Sequence, residues 1–287
     1  RDRAKQSLES LIKELLNNHN IESLAFEADH ISFNQWQQLS SHLNLKQTIP
    51  VSRLVEELRY YKDEVEIQNI TAAAAIADQA LANILPLIKP GVTEREMATE
   101  LEYQMSQLGS EELSFATILL SGKRSALPHG IPGNTTINNG DLILFDFGAV
   151  VNGYRSDMTR TYVLGKPDSK QKEIFNIVSS AQQAAIDAIA EGVTGDFLAQ
   201  QSHKILDASP YAEFKGEGLG HGVGLELHEY PLMGKGCNLK ISRGCVITIE
   251  PGIYIPEWGG IRIEDDVVLT EAGLQIINTA PKEFLEL

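Results

Sequence analysis

Residues 218–231 read GLGHGVGLELHEYP and lead into VITIEPGIY at 246–254 and GGIRIEDD at 259–266. These three runs place His221, His228, Glu250, Arg262 and Glu264 among valines, isoleucines and glycines, where side chains are normally buried. Removing a carboxylate from water costs several kcal/mol or more unless a partner neutralises it. A divalent cation is the simplest partner. Further upstream, LILFDFGAVVNGYRSDMTRTYV at 142–163 repeats the pattern with Asp146 and Asp157. Four carboxylates and one imidazole on apolar hairpins describe a two-metal site, because two divalent ions leave such a set near neutral.

Asn152-Gly153 is a strong type I′ hairpin signal, since both central positions need positive φ. A two-residue turn there pairs Val151 with Tyr154 and sets Asp157 across from Gly148, on the face that carries Asp146. Diagonal neighbours about 7 Å apart can reach a pair of ions about 3.5 to 4 Å apart. Gly148 is expected to leave room for those ions. An odd-length turn centred near Glu257 brings Glu250 and Glu264 directly opposite, with Arg262 on the same face as Glu264. His228 lies an odd number of residues after His221, so only a bulge near Gly222 or Gly224 brings both into one site.

Asp146 in FDFGA, Asp157 in SDMTRT, His221 in GLGHGVG, Glu250 in TIEPGIY and Glu264 in IRIEDD resemble, in order and spacing, the metallopeptidases of the pita-bread fold. The branch resembled holds Xaa-Pro aminopeptidases and Xaa-Pro dipeptidases (prolidases), over residues 60–287. The resemblance implies an α+β catalytic domain, creatinase/aminopeptidase-like, built from pseudo-twofold αβ halves. It implies that Asp157 and Glu264 bridge two ions, that Asp146 serves one, and that His221 and Glu250 serve the other. Glu250 is also implied as proton acceptor from the attacking water, with His129 and His228 hydrogen-bonding the substrate carbonyl and the tetrahedral intermediate. Arg262 is expected either to orient substrate or to offset the carboxylates. An oxygen-rich set with one imidazole favours Mn²⁺, with Co²⁺ or Zn²⁺ as alternatives.

The function expected is metal-dependent hydrolysis of the N-terminal Xaa-Pro bond of small peptides. Two departures bear on specificity. Many proline-specific members carry histidine where this chain has Glu217, and dipeptidase-type members often carry arginine where HEYP is followed by Leu232. Leu232 makes aminopeptidase action on longer peptides the first expectation and dipeptidase action the second, while Glu217 argues against a strict preference for proline. A binding module without catalysis is disfavoured because no ligand is missing, and a methionine aminopeptidase because its glutamate spacing differs. Asp265 and Asp266 are expected to support the ligands or face water, and Tyr254 to sit in the core.

The 287 residues carry a formal net charge of −15, which disfavours nucleic acid and anionic membranes as partners. No apolar run approaches the roughly 18 to 20 residues that span a bilayer, and no signal-peptide pattern opens the chain, so a cytoplasmic protein is expected. A homodimer is the expected assembly. Two cysteines, Cys237 and Cys245, suggest buried thiols rather than a disulfide framework. Arg1 at the start suggests a trimmed chain.

Residues 1–55 read as the remnant of an N-terminal α/β domain, creatinase-N-like, whose larger form closes the site or builds the oligomer in the family resembled. Helices are predicted over Lys5–Asn17 and Ser32–Leu43 with a strand over Ile21–Phe26. His19, His30 and His42 lack an acidic cluster and read as surface or core residues. Residues 56–287 form the catalytic domain: a helix over Lys62–Ile88, a second capped by Thr93, a strand over Ser114–Ser121, a helix over Ser169–Glu191, and another capped near Thr194.

Overall fold

The structure, a computed structural model, describes residues 6–284, 286 and 287. It divides the chain into two compact units, Arg1–Leu58 and Arg59–Leu287.

In the first unit, α1 (Leu8–Asn18) is capped by the Ser7 side chain, so the predicted start at Lys5 lies outside the described residues. β1 (Ser23–Glu27) pairs in parallel with β2 (Gln47–Val51), and α2 (Phe33–Ser41) forms the crossover between them. Ser32 and Gln35 close a reciprocal capping box at the start of α2. β2 was not predicted; its isoleucine and proline lie in a short, exposed edge strand that carries little alternation. A short helix, α3 (Leu54–Arg59), follows.

The second unit consists of two similar halves. In the first half, α4 (Glu64–Ile84) begins at a capping box made by Asp63 and Glu66, and α5 (Glu94–Gln107) at one made by Thr93 and Glu96. These helices pack on a sheet of order β3-β4-β7, comprising Ile118–Ser121, Leu142–Phe147 and Met158–Val163. Between β4 and β7 the short strands β5 (Val150–Val151) and β6 (Tyr154–Arg155) close the hairpin. In the second half, α6 (Ser169–Asp187) starts at an Asp168–Gln171 capping box and α7 (Gly195–Asp207) at Thr194. Its five-stranded sheet has the order β14-β13-β10-β8-β9. The strands are β8 (Gly220–Gly222), β9 (Glu229–Met233), β10 (Val246–Ile249), β13 (Asp265–Thr270) and β14 (Gly273–Ile276). The pair β11 (Gly252–Ile255) and β12 (Gly259–Arg262) closes its hairpin.

The correspondence extends to single bonds. Gly91-Val92-Thr93 and Gly192-Val193-Thr194 are the same tripeptide, and the two threonines share φ −98° and ψ 157°. Val92 O accepts from Ile137 N and Val193 O from Ile241 N, at 2.8 and 2.7 Å. The predicted pseudo-twofold is thus visible in the backbone.

Several predicted boundaries shift. The strand expected over Ser114–Ser121 starts only at Ile118, and α6 ends at Asp187. One further expectation is corrected: the 24 residues Glu64–Leu87 are long and apolar enough to span a bilayer. They belong instead to the core, with Ile70, Ala73, Ala77, Leu81 and Ile84 fully or almost fully buried. Alanines on that face let α4 lie close to the sheet.

Candidate metal centre

The two hairpins carry the site. β4 and β7 pair Asp146 with Thr159, and the same register passes through Val150–Arg155 and Val151–Tyr154 beyond it. Asn152 and Gly153 adopt φ of 50° and 79°, the turn the Asn-Gly pair predicts. That register sets Asp157 opposite Gly148. An added Cβ on Gly148 would overlap the Ser156 carbonyl oxygen, so the glycine is needed for strand contact rather than to make room for ions, as first expected. In the second half, Ile249 pairs with Asp265 and Gly252 with Arg262. The intervening Glu250 and Glu264 therefore stand opposite each other, across a turn in which Glu257 has φ 60°.

The side chains converge. Asp157, His221 and Glu264 each offer a ligand atom within 4.8 Å of the others, and all three are buried. His221 Nε2 lies 3.5 Å from Asp157 Oδ2 and 3.4 Å from Glu250 Oε1. Its Nδ1 stands 3.0 Å from the Gly222 carbonyl, which can only accept. The proton is thus on Nδ1, and the Nε2 lone pair faces the carboxylates, the tautomer a metal ligand needs.

Burial raises the pKa of every carboxyl in the cluster. For Asp157 and Glu264 burial is reinforced by the neighbouring acids, and both rise far above the usual range. Burial raises Asp146 too, although the Arg262 guanidinium opposes it. Glu250 is pushed up to about 7 by burial, against the pull of Arg262. Burial lowers His221, disfavouring an imidazolium. Oxygens Asp146 Oδ1, Asp157 Oδ1, Glu264 Oε1 and Asp266 Oδ1 are buried with no hydrogen-bond partner among the described residues. Buried acceptors are rarely left so. A pair of divalent cations satisfies the orphaned ligand oxygens and removes the mutual repulsion, so the donor set fits the metals the sequence implies.

A supporting layer holds these groups, and most of it was not predicted. Thr159 Oγ1 donates to Glu264 Oε2 at 2.6 Å and accepts from Arg262 Nε at 2.9 Å. Thr248 Oγ1 donates to Glu250 Oε1 at 3.2 Å and accepts the His221 backbone N–H at 3.0 Å. Asp266, fully buried, accepts the Asp157 backbone N–H at 2.9 Å. Asp265 is fully buried as well, bonded to Arg160, Gln182 and Lys282, so neither acid faces water. Thr159 and Thr248 each stand two residues from a candidate ligand, in DMT and TIE, and that spacing is the signal that could have found them.

A cavity of about 650 Å³ opens on this centre, lined among others by His129, Lys215, Glu217, Glu250, Tyr254 and Arg262. Tyr254 is therefore a cavity residue rather than the core residue expected. Its hydroxyl accepts from Arg262 Nη1 at 2.9 Å. Arg262 also bonds Asp146, Thr159 and the Pro128 carbonyl and is 3% exposed. Those bonds engage four of the guanidinium's five N–H groups, so Arg262 is held chiefly by protein groups while it lines the cavity.

His228 approaches His221 edge-on, with ring centroids 4.3 Å apart. The strand register shifts between His221 and Gly222, which is the bulge the odd spacing requires. Partial burial, then His221 and His129, lower the His228 pKa. In the first unit, His30 bonds Glu56 at 2.6 Å and groups with Glu27, so the expectation of no acids around it is corrected. That group is largely exposed and forms a surface ion pair.

Comparison with known proteins agrees with this geometry. Residues 68–271 match the model of metallopeptidase family M24, and residues 1–61 match the creatinase/prolidase N-terminal domain. An Xaa-Pro dipeptidase of Pyrococcus furiosus is 41% identical over 93% of this chain and 76% of its own length. A solved Xaa-Pro dipeptidase from Bacillus anthracis superposes with a TM-score of 0.96 at 39% identity, over 99% of this chain and 79% of that one. An X-Pro aminopeptidase from Thermotoga maritima gives a TM-score of 0.93 at 37% identity, over 98% and 80%. With two αβ halves closing on one acidic centre, the chain belongs to the pita-bread Xaa-Pro peptidases of metallopeptidase family M24 and is a metal-dependent exopeptidase.

Proposed function

We propose that this chain is an Xaa-Pro dipeptidase whose Asp146, Asp157, His221, Glu250 and Glu264 hold two divalent ions, Mn²⁺ before Co²⁺ or Zn²⁺. The observation that carries the site is the set of buried carboxylate oxygens without partners, facing a single unprotonated imidazole nitrogen. The oxygen-rich set supports manganese. When bound, such a pair supplies an acidified water and a polarised scissile carbonyl.

The remaining chemistry falls to the side chains. Glu250, whose carboxyl faces the His221 Nε2 across the centre, is the group we assign to take a proton and return it to the leaving amine. Thr248 fixes one of its oxygens, leaving the other for that exchange. His129 and His228 are the groups we assign to the carbonyl oxygen that gains charge during attack.

Dipeptide substrates carry a free carboxylate that needs a cation. Lys215 lines the cavity and is paired with Asp207, which is half exposed. Asp207 reaches solvent, so a substrate carboxylate in the cavity can replace it as the partner of Lys215. The dipeptidase relatives support this reading. Aminopeptidase action is the second reading, favoured by the aminopeptidase relative and by Leu232 after HEYP. Assaying Xaa-Pro dipeptides against Xaa-Pro-Yaa tripeptides, after chelation and Mn²⁺ restoration, separates the two. Preference for tripeptides would replace the first reading with the second, and full activity without metal would overturn both.

A further inference from the structure

Glu229 opens β9 and directly follows His228. It is 8% exposed, yet it is charged and heavily bonded. Lys62 Nζ donates to Oε2 at 2.8 Å, and Lys62 is itself almost wholly buried. Arg59 donates to Oε1 through Nε at 3.1 Å and also through Nη2. Burial alone would raise this carboxyl, but the two cations hold it below its usual range. Such a cluster is costly to assemble and fixes geometry where it occurs.

What it fixes is the segment that bears His228. Between β8 and β9 the chain from Val223 to His228 forms no regular strand. Glu229 Oε1 accepts the Glu226 backbone N–H at 3.1 Å. His228 therefore lies on a short backbone span whose two ends are tied to one carboxylate. Lys62 is anchored in turn, donating its backbone N–H to the Gly244 carbonyl at 2.8 Å. Gly224 passes so close that an added Cβ would come within 2.9 Å of both Glu229 Oε2 and Lys62 Cε.

We propose that Glu229, clamped by Lys62 and Arg59, is a positioning residue that holds His228 edge-on to His221 in the reactive arrangement. This rests on the assignment of His228 to the substrate carbonyl. It is tested by a double-mutant cycle on the Mn²⁺-loaded protein. Glu229→Gln and Lys62→Met should each lower kcat/KM about 10- to 100-fold, the range for residues that orient a site group, with Mn²⁺ affinity held within about twofold. In a His228→Ala background, Glu229→Gln should have no further effect, because coupled residues are not additive.

If the two effects multiply, Glu229 acts on something other than His228 and the proposal is overturned. Should His228→Ala leave activity unchanged, the assignment of His228 fails first, and the proposal with it. Lys62→Met keeps the cycle readable if Glu229→Gln does not fold, because Arg59 still neutralises Glu229.

Discussion

Thr159 illustrates how much of a metal centre depends on residues that touch no metal. Its hydroxyl both donates to Glu264 and accepts from Arg262, so one small side chain orients a proposed ligand and the arginine that lies among the buried acids. Thr159→Val keeps the shape and removes both bonds; calorimetric titration should show Mn²⁺ affinity reduced about 10- to 100-fold. Lys215 is the corresponding test for substrate. Lys215→Met should raise KM for Xaa-Pro dipeptides about tenfold while tripeptide amides, which lack the carboxylate there, change little. Equal effects on both would remove Lys215 from carboxylate recognition. The candidate ligands stood out in the sequence because acids inside apolar strands conflict with burial. Thr159 was not, because threonine suits any strand and its partners lie 105 and 103 residues away.

At the scale of elements, the hairpins do the positioning. The Asn152-Gly153 turn determines the register of its hairpin, and the odd turn around Glu257 sets the other, so the diagonal placing of Asp146 and Asp157 and the opposed placing of Glu250 and Glu264 could be read before any coordinates. What the turn could not reveal was the role of Gly148, which appears only when the Ser156 carbonyl is placed against it. Gly148→Ala should force the strands apart; overpacking of this kind costs about 1–3 kcal/mol, and calorimetric melting should show it together with weaker metal binding. The matched Gly-Val-Thr tripeptides make a second prediction. Thr93→Ala and Thr194→Ala each remove the hydroxyl that accepts a first-turn N–H, and each should destabilise by about 1 kcal/mol. The repeat is too short to stand out by identity alone. It gains meaning when Ile137 and Ile241 are seen bonding to the same position in each half.

For the whole molecule, the acidic centre makes stability a function of both pH and metal, and in opposite directions. Unfolded carboxyl groups titrate near 4, whereas burial raises Asp157, Glu250 and Glu264 in the folded chain, Glu250 to about 7. A raised carboxyl contributes stability that is fully present below its unfolded pKa and lost as pH rises through the folded one. The metal-free protein should therefore lose stability between about pH 4.5 and 7 from Glu250 alone, with the other two extending the loss upward. Divalent ions require the ionised carboxylates, so their binding releases protons and strengthens over the same interval. Stabilisation by a ligand grows as RT ln(1 + [L]/Kd), so the gap in Tm between Mn²⁺-loaded and chelated samples should widen from pH 5.5 to pH 7.5. Proton release on Mn²⁺ addition, followed in weakly buffered solution, should accompany it. A gap that stays constant across this range would mean that the buried acids do not titrate together with the metals, and the charge balance argued for the centre would be wrong.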